Sequence, residues 1–529
     1  MIELNELKRA VEQALAYLKT VPDLEEAEVF ASSNGHLLTR INYTSHIPCN
    51  GLEEPKSTSN YGVGIRATFR AADSKVATGP SAVLRTGFGS EPSSLDLEGV
   101  RSALEKARKG AVHDPEFVSL PRPTGEKRSL FSYHDPKLME VADEDLVKAG
   151  WQVINGSLDT FYTSERLLSL ADSREGLRRL GLILGGDVTI IQERIAIGST
   201  AMPAVQTDES TLMMSSLTSM VEAKDAKGSG WSTATSLREF GDQGGRSAAA
   251  NAIGAIEGQR VRDGAYTVIF GPQPVTDLLN NLVLPSLNLG NFYASSTAFL
   301  GKLGKQVASP RLSIYDDGAA RGLMGSKGIT CEGLPTGRTE LIKNGVLVGL
   351  LSNWYESQRI LKDPRAREKL GVAPQGYATA LVPRNGFRFT LGGGRHFSTT
   401  PGIAATNVVL EGADSSTREQ LLRRVKDGLY IGRIWYTYPV NGLLAGDFTC
   451  TVTADSYIIK EGRLAAPLAP NAIRINDNIS NILNNIVGIT TERTGTLVWA
   501  ADEVVYAPEI AVENVHATEI GSFLATEAM

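Results

Sequence analysis

A strand that runs directly into a short helix is the feature that most constrains how this chain can fold. Tyr266-Thr-Val-Ile-Phe270 is rich in β-branched and aromatic residues, which predicts a β-strand, and a Gly-Pro turn follows it. Residues 273–285 then predict a short amphipathic helix, with a buried face made of Leu278, Leu279, Leu282 and Val283. Asn280 and Asn281 are expected on its polar side, and Pro285 is expected to end it.

The length of the chain, 529 residues, exceeds what one ordinary hydrophobic core organises, so two or three domains are expected. The predicted fold class is α+β, in which N-terminal α/β-type subdomains precede a large mixed or antiparallel, barrel-like β-sheet. We place an α+β domain at residues 1–118, a second α+β domain at 119–262 and a β-rich domain at 263–529. A proline-rich stretch without periodicity, Asp114 to Gly125, marks the first boundary.

Hydrophobic periodicity predicts the individual elements of the first two segments. Apolar residues recur at helical spacing from Leu4 to Leu18, and they alternate from Val63 to Phe69 as in a half-buried strand. Strands are also expected at 187–191 and 194–197, and an alanine-rich helix at 247–258. Gly228-Ser-Gly230 is interpreted as a turn between strands.

Composition limits the classes of partner that the chain can bind. The net charge is -6 and the pI about 5.7, whereas sequence-independent nucleic-acid binding needs a basic surface. No apolar run approaches the roughly 20 residues that a membrane-spanning helix needs. The first residues mix charges among apolar side chains, unlike a signal peptide. We therefore expect no nucleic acid, no membrane and a cytoplasmic location.

The order of several short blocks resembles the TldD/TldE (PmbA) family of peptidase subunits. Each block alone is a common glycine turn beside a strand, and their order and spacing together are much more specific. Besides the strand and helix at 266–285, the blocks are Gly62-Val-Gly-Ile-Arg66, Gly301-Lys-Leu-Gly304, Asp316-Asp317, Glu332-Gly-Leu-Pro335, Leu341-Ile-Lys-Asn-Gly-Val-Leu347, Asp427-Gly-Leu-Tyr-Ile431, Gly446-Asp-Phe448 and Tyr457-Ile-Ile-Lys-Glu-Gly462.

The resemblance implies a subunit without a metal of its own. In the catalytic branch of the family this helix carries His-Glu-x-x-x-His, which binds zinc and supplies a general base, and the aligned positions here are Asn280, Asn281 and Pro285. Asparagine is a poor zinc ligand and cannot accept a proton near neutral pH, and proline offers no ligand. The family's third ligand is a cysteine near the C-terminus, and residues 490–499 contain none. The expectation is no catalytic residue and no cofactor in this chain.

Partners follow from the same resemblance. A TldE/PmbA-like chain pairs with a TldD-like catalytic subunit, and the pair cleaves peptides or unfolded proteins with zinc held by the partner. A homodimer is the other assembly considered. From a different functional class, the chain could be a partner-independent, homo-oligomeric peptide-binding or adaptor protein. A third alternative is an enzyme with rebuilt chemistry that uses Cys331 or Cys450 as the nucleophile.

Other residues admit both a chemical and a structural interpretation. The chemical ones are a zinc site assembled from His396, Cys450 and His516, a metal on Asp316-Asp317, and a phosphate cradle at Gly392 to Gly394. A turn is the simpler interpretation of the two aspartates, and a flexible loop that of the glycines. The aromatic cluster Trp435, Tyr436 and Tyr438 is interpreted as sheet packing, with a peptide groove as the alternative.

Overall fold

The computed structural model describes residues 1–47, 50–70, 84–123, 135–390, 393–414, 416–498 and 501–521. Several predictions fall partly outside these ranges: the end of the proline-rich stretch at Gly125, Gly392 of the glycine run, and the last position of 490–499.

The N-terminal half is built on one eight-stranded antiparallel sheet, ordered β5-β4-β3-β1-β6-β7-β8, with the short β2 paired to β1. Its elements are α1 (Leu4–Leu18), β1 (Leu24–Thr44), β2 (Gly51–Leu52), β3 (Lys56–Arg70), β4 (Leu84–Pro92), α2 (Leu97–Lys109), β5 (Val112–His113), α3 (Asp143–Thr163), α4 (Glu165–Ala171), α5 (Arg174–Arg179), β6 (Leu182–Ser199), β7 (Gln206–Val221), β8 (Ala226–Ala234) and α6 (Gln243–Gly254), with 3-10 turns at Pro136–Glu140 and Glu222–Lys224.

Long strands allow two helical layers to share this sheet. Helices α1 and α2 cover one hydrophobic core, and α3 and α6 cover another. Apart from the short β2, β5, α4 and α5, the first and the second predicted segment each follow the order helix, three strands, helix. β1 and β6 pair antiparallel from Glu28 with Ser199 to Thr44 with Ile183, and the predicted boundary at 118/119 therefore falls between strands of one sheet. The division into three domains stays a prediction.

The C-terminal half contains two larger sheets, one of nine strands ordered β19-β20-β23-β27-β9-β18-β21-β22 with β24 paired to β27, and one of six ordered β12-β11-β10-β17-β26-β25. Its strands are β9 (Gly264–Phe270), β10 (Leu312–Asp317), β11 (Arg338–Lys343), β12 (Val346–Leu347), β13 (Gly386–Phe387), β14 (Phe389–Thr390), β15 (Gly394–Arg395), β16 (Gly402–Ile403), β17 (Asn407–Gly412), β18 (Gly428–Ile431), β19 (Arg433–Pro439), β20 (Asp447–Ala454), β21 (Tyr457–Lys460), β22 (Arg463–Pro467), β23 (Ile473–Asn478), β24 (Ile486–Ile489), β25 (Thr494–Thr496), β26 (Val504–Ala507) and β27 (Ile510–Glu519).

The helices of this half are short. They are α7 (Pro272–Leu278), α8 (Leu284–Ser286), α9 (Leu289–Tyr293), α10 (Trp354–Lys362), α11 (Ala366–Leu370), α12 (Arg418–Val425) and α13 (Ile479–Asn484), with a π-helical turn at Leu279–Val283 and a 3-10 segment at Pro374–Leu381. Parallel pairing of β18 with β9 and of β17 with β26 makes both sheets mixed. The nine-stranded sheet curls into a half-barrel, and the chain has 28% helix and 39% strand, so the predicted α+β class is confirmed.

One local prediction was wrong. Gly228 and Gly230 lie inside β8 instead of forming a turn. Both face α6, where an added Cβ at Gly230 would lie 2.0 Å from the Gly244 carbonyl oxygen and one at Gly228 2.1 Å from the Ala252 nitrogen. The glycines are there because the helix backbone approaches the strand closely, which is a second use of glycine that sequence does not separate from a turn.

Buried ion pairs fasten the two halves together. Glu193 on β6 is 1% exposed and binds Lys327 and Arg395 from the C-terminal half. Arg395 is completely buried and donates from Nη1 to Asp208 on β7 at 2.7 Å. Burial opposes ionisation of Glu193, but the charges of Lys327 and Arg395 outweigh it and lower the pKa of its carboxyl. The halves therefore form one packed unit at this point.

Among the described residues, no helix combines the length and the apolar character needed to cross a membrane.

Candidate functional site

The helix that follows β9 is the centre of the candidate site. Gly271 is its N-cap, and Pro272 occupies the first helical position, where proline is favoured because it lacks only a hydrogen that the helix would not use. The predicted apolar face is confirmed: Leu278, Leu279, Leu282 and Val283 are 1–5% exposed and lie in the core of the C-terminal half. Pro285 lies within α8, and the helix continues one residue past it to Ser286.

A π-helical turn interrupts this helix at Leu279–Val283. Such turns are rare and occur frequently at functional sites. In a regular α-helix, residues five apart are separated by about 140° around the axis, because each residue advances about 100°. A wider turn reduces that separation, so Asn280 and Pro285, which are five positions apart, come closer to a common face of the helix.

The helix forms one wall of a pocket of about 310 Å³. Asp277, Asn280 and Asn281 line it from the helix, and β19 lines it with Trp435, Tyr436 and Thr437. The remaining lining residues are Gln273, Val498, Ala501 and Glu503. The pocket brings the two asparagines and two of the three predicted aromatic residues together, whereas Tyr438 does not line it.

Asp277 is the titratable group of the helix that faces this pocket. Its Oδ2 accepts a hydrogen bond from the Thr437 hydroxyl at 3.3 Å, and its Oδ1 accepts one from the Asn281 amide at 2.5 Å. Burial raises the pKa of Asp277 to about 6, and burial also raises the pKa of Glu503. The pocket therefore offers carboxyl groups, amides and a hydroxyl, which suit hydrogen bonding to a polar ligand.

Asn280 differs from its neighbour. Asn281 is exposed and bonded to Asp277, but the side-chain nitrogen and oxygen of Asn280 are inaccessible and have no hydrogen-bond partner in the described part of the chain. Leaving a buried donor or acceptor unpaired costs about 1–3 kcal/mol. An amide that lines a pocket in this state is suited to pair with a group that arrives from outside.

The pocket is bordered by an exposed sheet edge. β19 is an edge strand of the nine-stranded sheet, and Tyr436 and Tyr438 on it are 69% and 53% exposed. Tyr436 has a φ of 56° at an irregularity in the pairing of β19 with β20, which turns its ring outward. Trp435 is half-buried, and the interpretation of these aromatics as sheet packing is wrong for the two exposed tyrosines.

Cysteine chemistry finds no support in the structure. Cys331 and Cys450 are free, and they are 0% and 1% exposed. Burial raises the pKa of Cys331 to about 12 and raises the pKa of Cys450 as well, so both remain protonated, unreactive thiols.

The proposed metal ligands do not come together. Within the described ranges, no group of three or more His, Cys, Asp or Glu residues could hold a metal ion. His396 bonds to Ser398, two residues further along the chain. His516 on β27 bonds to Asp477 on the neighbouring strand β23. Asp316, interpreted as part of a turn, instead lies within β10, is 1% exposed and accepts hydrogen bonds from Thr406.

The flexible-loop interpretation of the glycine run was wrong for its described part. Gly394 begins the short strand β15, and its backbone nitrogen donates to Asp502 at 3.1 Å. With a φ of 71°, it passes so close to Glu193 that an added Cβ would lie 2.6 Å from that carboxylate. Gly394 is held in place directly before Arg395, which forms the buried ion pairs. No spacing in the sequence indicates this contact.

Comparisons with known proteins identify a family for the part of the chain that contains this site. Residues 263–519 match the family model of the PmbA/TldA metallopeptidase C-terminal domain. The C-terminal half of this chain is a PmbA/TldD domain. The predicted family resemblance is thereby confirmed. This domain contains the helix, the π turn, β19 and the pocket.

The fold is similar to the crystal structure of TldE from Thermococcus kodakarensis, with a TM-score of 0.73 and 17% identity over 96% of this chain and 100% of that chain. A metalloprotease of Synechocystis sp. is 27% identical over 279 residues, which are 51% of this chain and 53% of the relative. A metalloprotease TldD homolog of Haemophilus influenzae is 28% identical over 173 residues, 33% of this chain and 30% of the relative. The chain thus spans about half or less of the length of these two relatives.

Proposed function

We propose that this chain is a TldE/PmbA-like, non-catalytic subunit of a TldD–TldE-type zinc metallopeptidase complex that acts on peptides or unfolded proteins. Zinc and the general base belong to a TldD-like partner, and a cytoplasmic location is part of the proposal. The observation that supports it is the helix of the PmbA/TldD domain, which contains a π turn, borders a pocket and carries Asn280, Asn281 and Pro285 where the resemblance places the zinc motif. The metalloprotease relatives support the chemistry assigned to the partner.

The role of this subunit is to hold an extended peptide. An edge strand presents unpaired backbone groups that a peptide can extend by strand addition. β19 supplies such an edge, and Tyr436 and Tyr438 add exposed aromatic surface beside the pocket. The exposed amide of Asn281 and the carboxyl of Asp277 line this pocket, where a peptide's polar groups can meet them.

The proposal is tested by reconstitution. This chain and a relative that carries His-Glu-x-x-x-His are purified alone and together, and casein or peptide cleavage is measured in all three samples. The pair is expected to cleave, this chain alone is expected to be inactive, and a chelator is expected to abolish the activity of the pair. Cleavage by this chain alone would contradict the proposal, and so would a pair no more active than the relative alone.

The binding role has its own test within the same assay. The double variant Tyr436→Ser and Tyr438→Ser is expected to raise the KM of the pair about tenfold with little change in kcat, because it removes contacts with bound peptide. Leu464→Ser is the matched control, since Leu464 is 38% exposed on β22, the opposite edge of the same sheet. Equal effects of the two changes would contradict a peptide site at β19.

The same three samples distinguish the alternative function, which is a peptide-binding protein that needs no partner. It predicts peptide binding by this chain alone, a homo-oligomer on a sizing column, and no gain in cleavage when the relative is added.

A further inference from the structure

A second pocket of about 430 Å³ lies where the N-terminal sheet meets the PmbA/TldD domain. Arg66 on β3 and Asp114 after β5 line it from the N-terminal half, and Asn353 and Tyr355 line it from the start of α10. It shares no lining residue with the pocket beside the π turn. Its volume falls within the roughly 300–1,000 Å³ of small-molecule sites.

One side of this second pocket is positively charged. The Arg66 Nη2 donates to the Glu28 carboxylate at 2.8 Å, and Arg388, which is completely buried, binds the other oxygen of the same carboxylate. Two guanidinium groups therefore share one carboxylate, and an excess positive charge remains. Within the described residues the Nε of Arg66 has no hydrogen-bond partner. Arg66 thus contributes positive charge to the pocket lining.

The nearest further acid does not cancel this charge. Glu332 is 1% exposed and accepts a hydrogen bond from the Trp354 backbone nitrogen at 2.9 Å, while its Oε1 has no partner among the described residues. Burial raises the pKa of Glu332 to about 7, even though the charge of Arg66 acts in the opposite direction. Half of its population is therefore neutral near pH 7.

The pocket lining also contains acidic residues. Asp114 accepts hydrogen bonds from the Tyr355 hydroxyl at 2.9 Å and from the Glu116 backbone nitrogen at 2.9 Å, and it has no salt bridge in the described part of the chain. Glu356 also lines the pocket, but its carboxylate forms an ion pair with Arg359 at 2.7 Å. Asp114 is therefore the acid with an unmatched charge.

We propose that this pocket binds a small zwitterion, a free amino acid or a short peptide, with its carboxylate on Arg66 and its ammonium group on Asp114. Opposite charges in the lining of one cavity match the two ends of such a ligand. The hydroxyls of Thr86 and Thr400 also line the cavity and can bond its backbone groups. The site is independent of any catalytic partner, so it stands or falls separately from the function proposed above.

The test is calorimetric titration of the full chain with L-alanine, L-alanyl-L-alanine, its N-acetyl derivative and its amide. The dipeptide or the free amino acid is expected to bind saturably. Loss of either terminal charge from the dipeptide is expected to weaken binding about tenfold or more, because each removes a charge-assisted hydrogen bond. Comparison of alanine with the dipeptide shows which of the two ligands the cavity prefers.

Variants assign each end of the ligand. Arg66→Gln is expected to weaken dipeptide binding about tenfold, and Asp114→Asn to weaken the dipeptide but not its N-acetyl derivative. Arg70→Gln is the matched control, since Arg70 lies on the same strand and pairs on the surface with Glu25. If Arg66→Gln fails to fold, titration of the wild type with the dipeptide amide and titration of Asp114→Asn with the dipeptide still test the proposal. Absence of saturable binding at millimolar ligand, or binding unaffected by loss of the terminal charges and by Asp114→Asn, would overturn the proposal.

Discussion

Replacing Asp277 by asparagine is expected to stabilise the protein at alkaline pH and to have little effect at acidic pH. The carboxyl is 7% exposed beside the π turn, and its two bonded neighbours, Asn281 and Thr437, are both uncharged. An ionised carboxylate at this place is therefore poorly compensated for the water it loses on folding.

The magnitude follows from the pKa. Burial raises the pKa of Asp277 from 3.8 to about 6, a difference of about 2 units, and each unit corresponds to about 1.4 kcal/mol. Below pH 3.8 the group is protonated in both the folded and the unfolded state, so there is no penalty. Between pH 3.8 and about 6 the unfolded state loses its proton while the folded state keeps it, so a penalty develops that reaches about 3 kcal/mol above pH 6. Asparagine removes this penalty but loses one hydrogen-bond acceptor, which reduces the expected gain to about 1–3 kcal/mol.

Urea unfolding of the wild type and of Asp277→Asn at pH 4.5 and pH 8 measures this difference. The free energy of unfolding of the variant is expected to exceed that of the wild type at pH 8 and to approach it at pH 4.5. Asp447→Asn is the control of opposite sign. The hydrogen bond from Asn478 lowers the pKa of Asp447, so the ionised carboxylate stabilises the wild type as the pH rises. The free energy of unfolding of this variant should therefore fall below that of the wild type at pH 8. A gain for Asp277→Asn that is equal at both pH values would refute the reasoning.

Three further predictions concern the rest of the molecule. Arg395→Met is expected to lower the free energy of unfolding by about 3–5 kcal/mol in urea denaturation, because it strips a buried charge partner from Glu193; a loss below about 1 kcal/mol would contradict the role of these ion pairs. Gly230→Ala is expected to lower thermal stability by about 1–3 kcal/mol, whereas Gly185→Ala, with no atom within 4 Å of its added Cβ, should be neutral or slightly stabilising; similar effects of the two would contradict the close approach of α6. The Cys331 thiol is expected to resist alkylation by iodoacetamide in the native state and to react in urea, as followed by mass spectrometry; rapid native labelling would contradict its burial.

The elements that sequence predicted well are those whose periodicity is set by one buried face. α1 follows from the spacing of its leucines, and the alternation from Val63 to Phe69 lies within β3 with all four alternating side chains buried. The same holds for the apolar face of the helix at 272–286. The lengths of strands were harder to predict, because the expected strands at 187–191 and 194–197 are parts of the single strand β6.

The parts that could not be predicted depend on contacts between distant residues. The π turn at Leu279–Val283 has no periodic signature, and the ion pairs that bury Arg395 join residues about 200 positions apart. The exposure of Tyr436 arises from a positive φ at an irregular edge strand, where aromatic side chains ordinarily predict packing. The ligand pocket around Arg66 likewise exists only because the two halves of the chain meet there.

The central claim is that the metal and the hydrolytic chemistry belong to a partner, and the most direct measurement is the zinc content of each chain after separation of an active pair. Elemental analysis is expected to find about one zinc per pair, carried by the His-Glu-x-x-x-His subunit, and less than stoichiometric zinc in this chain. Stoichiometric zinc bound to this chain alone, accompanied by peptide cleavage, would contradict the account.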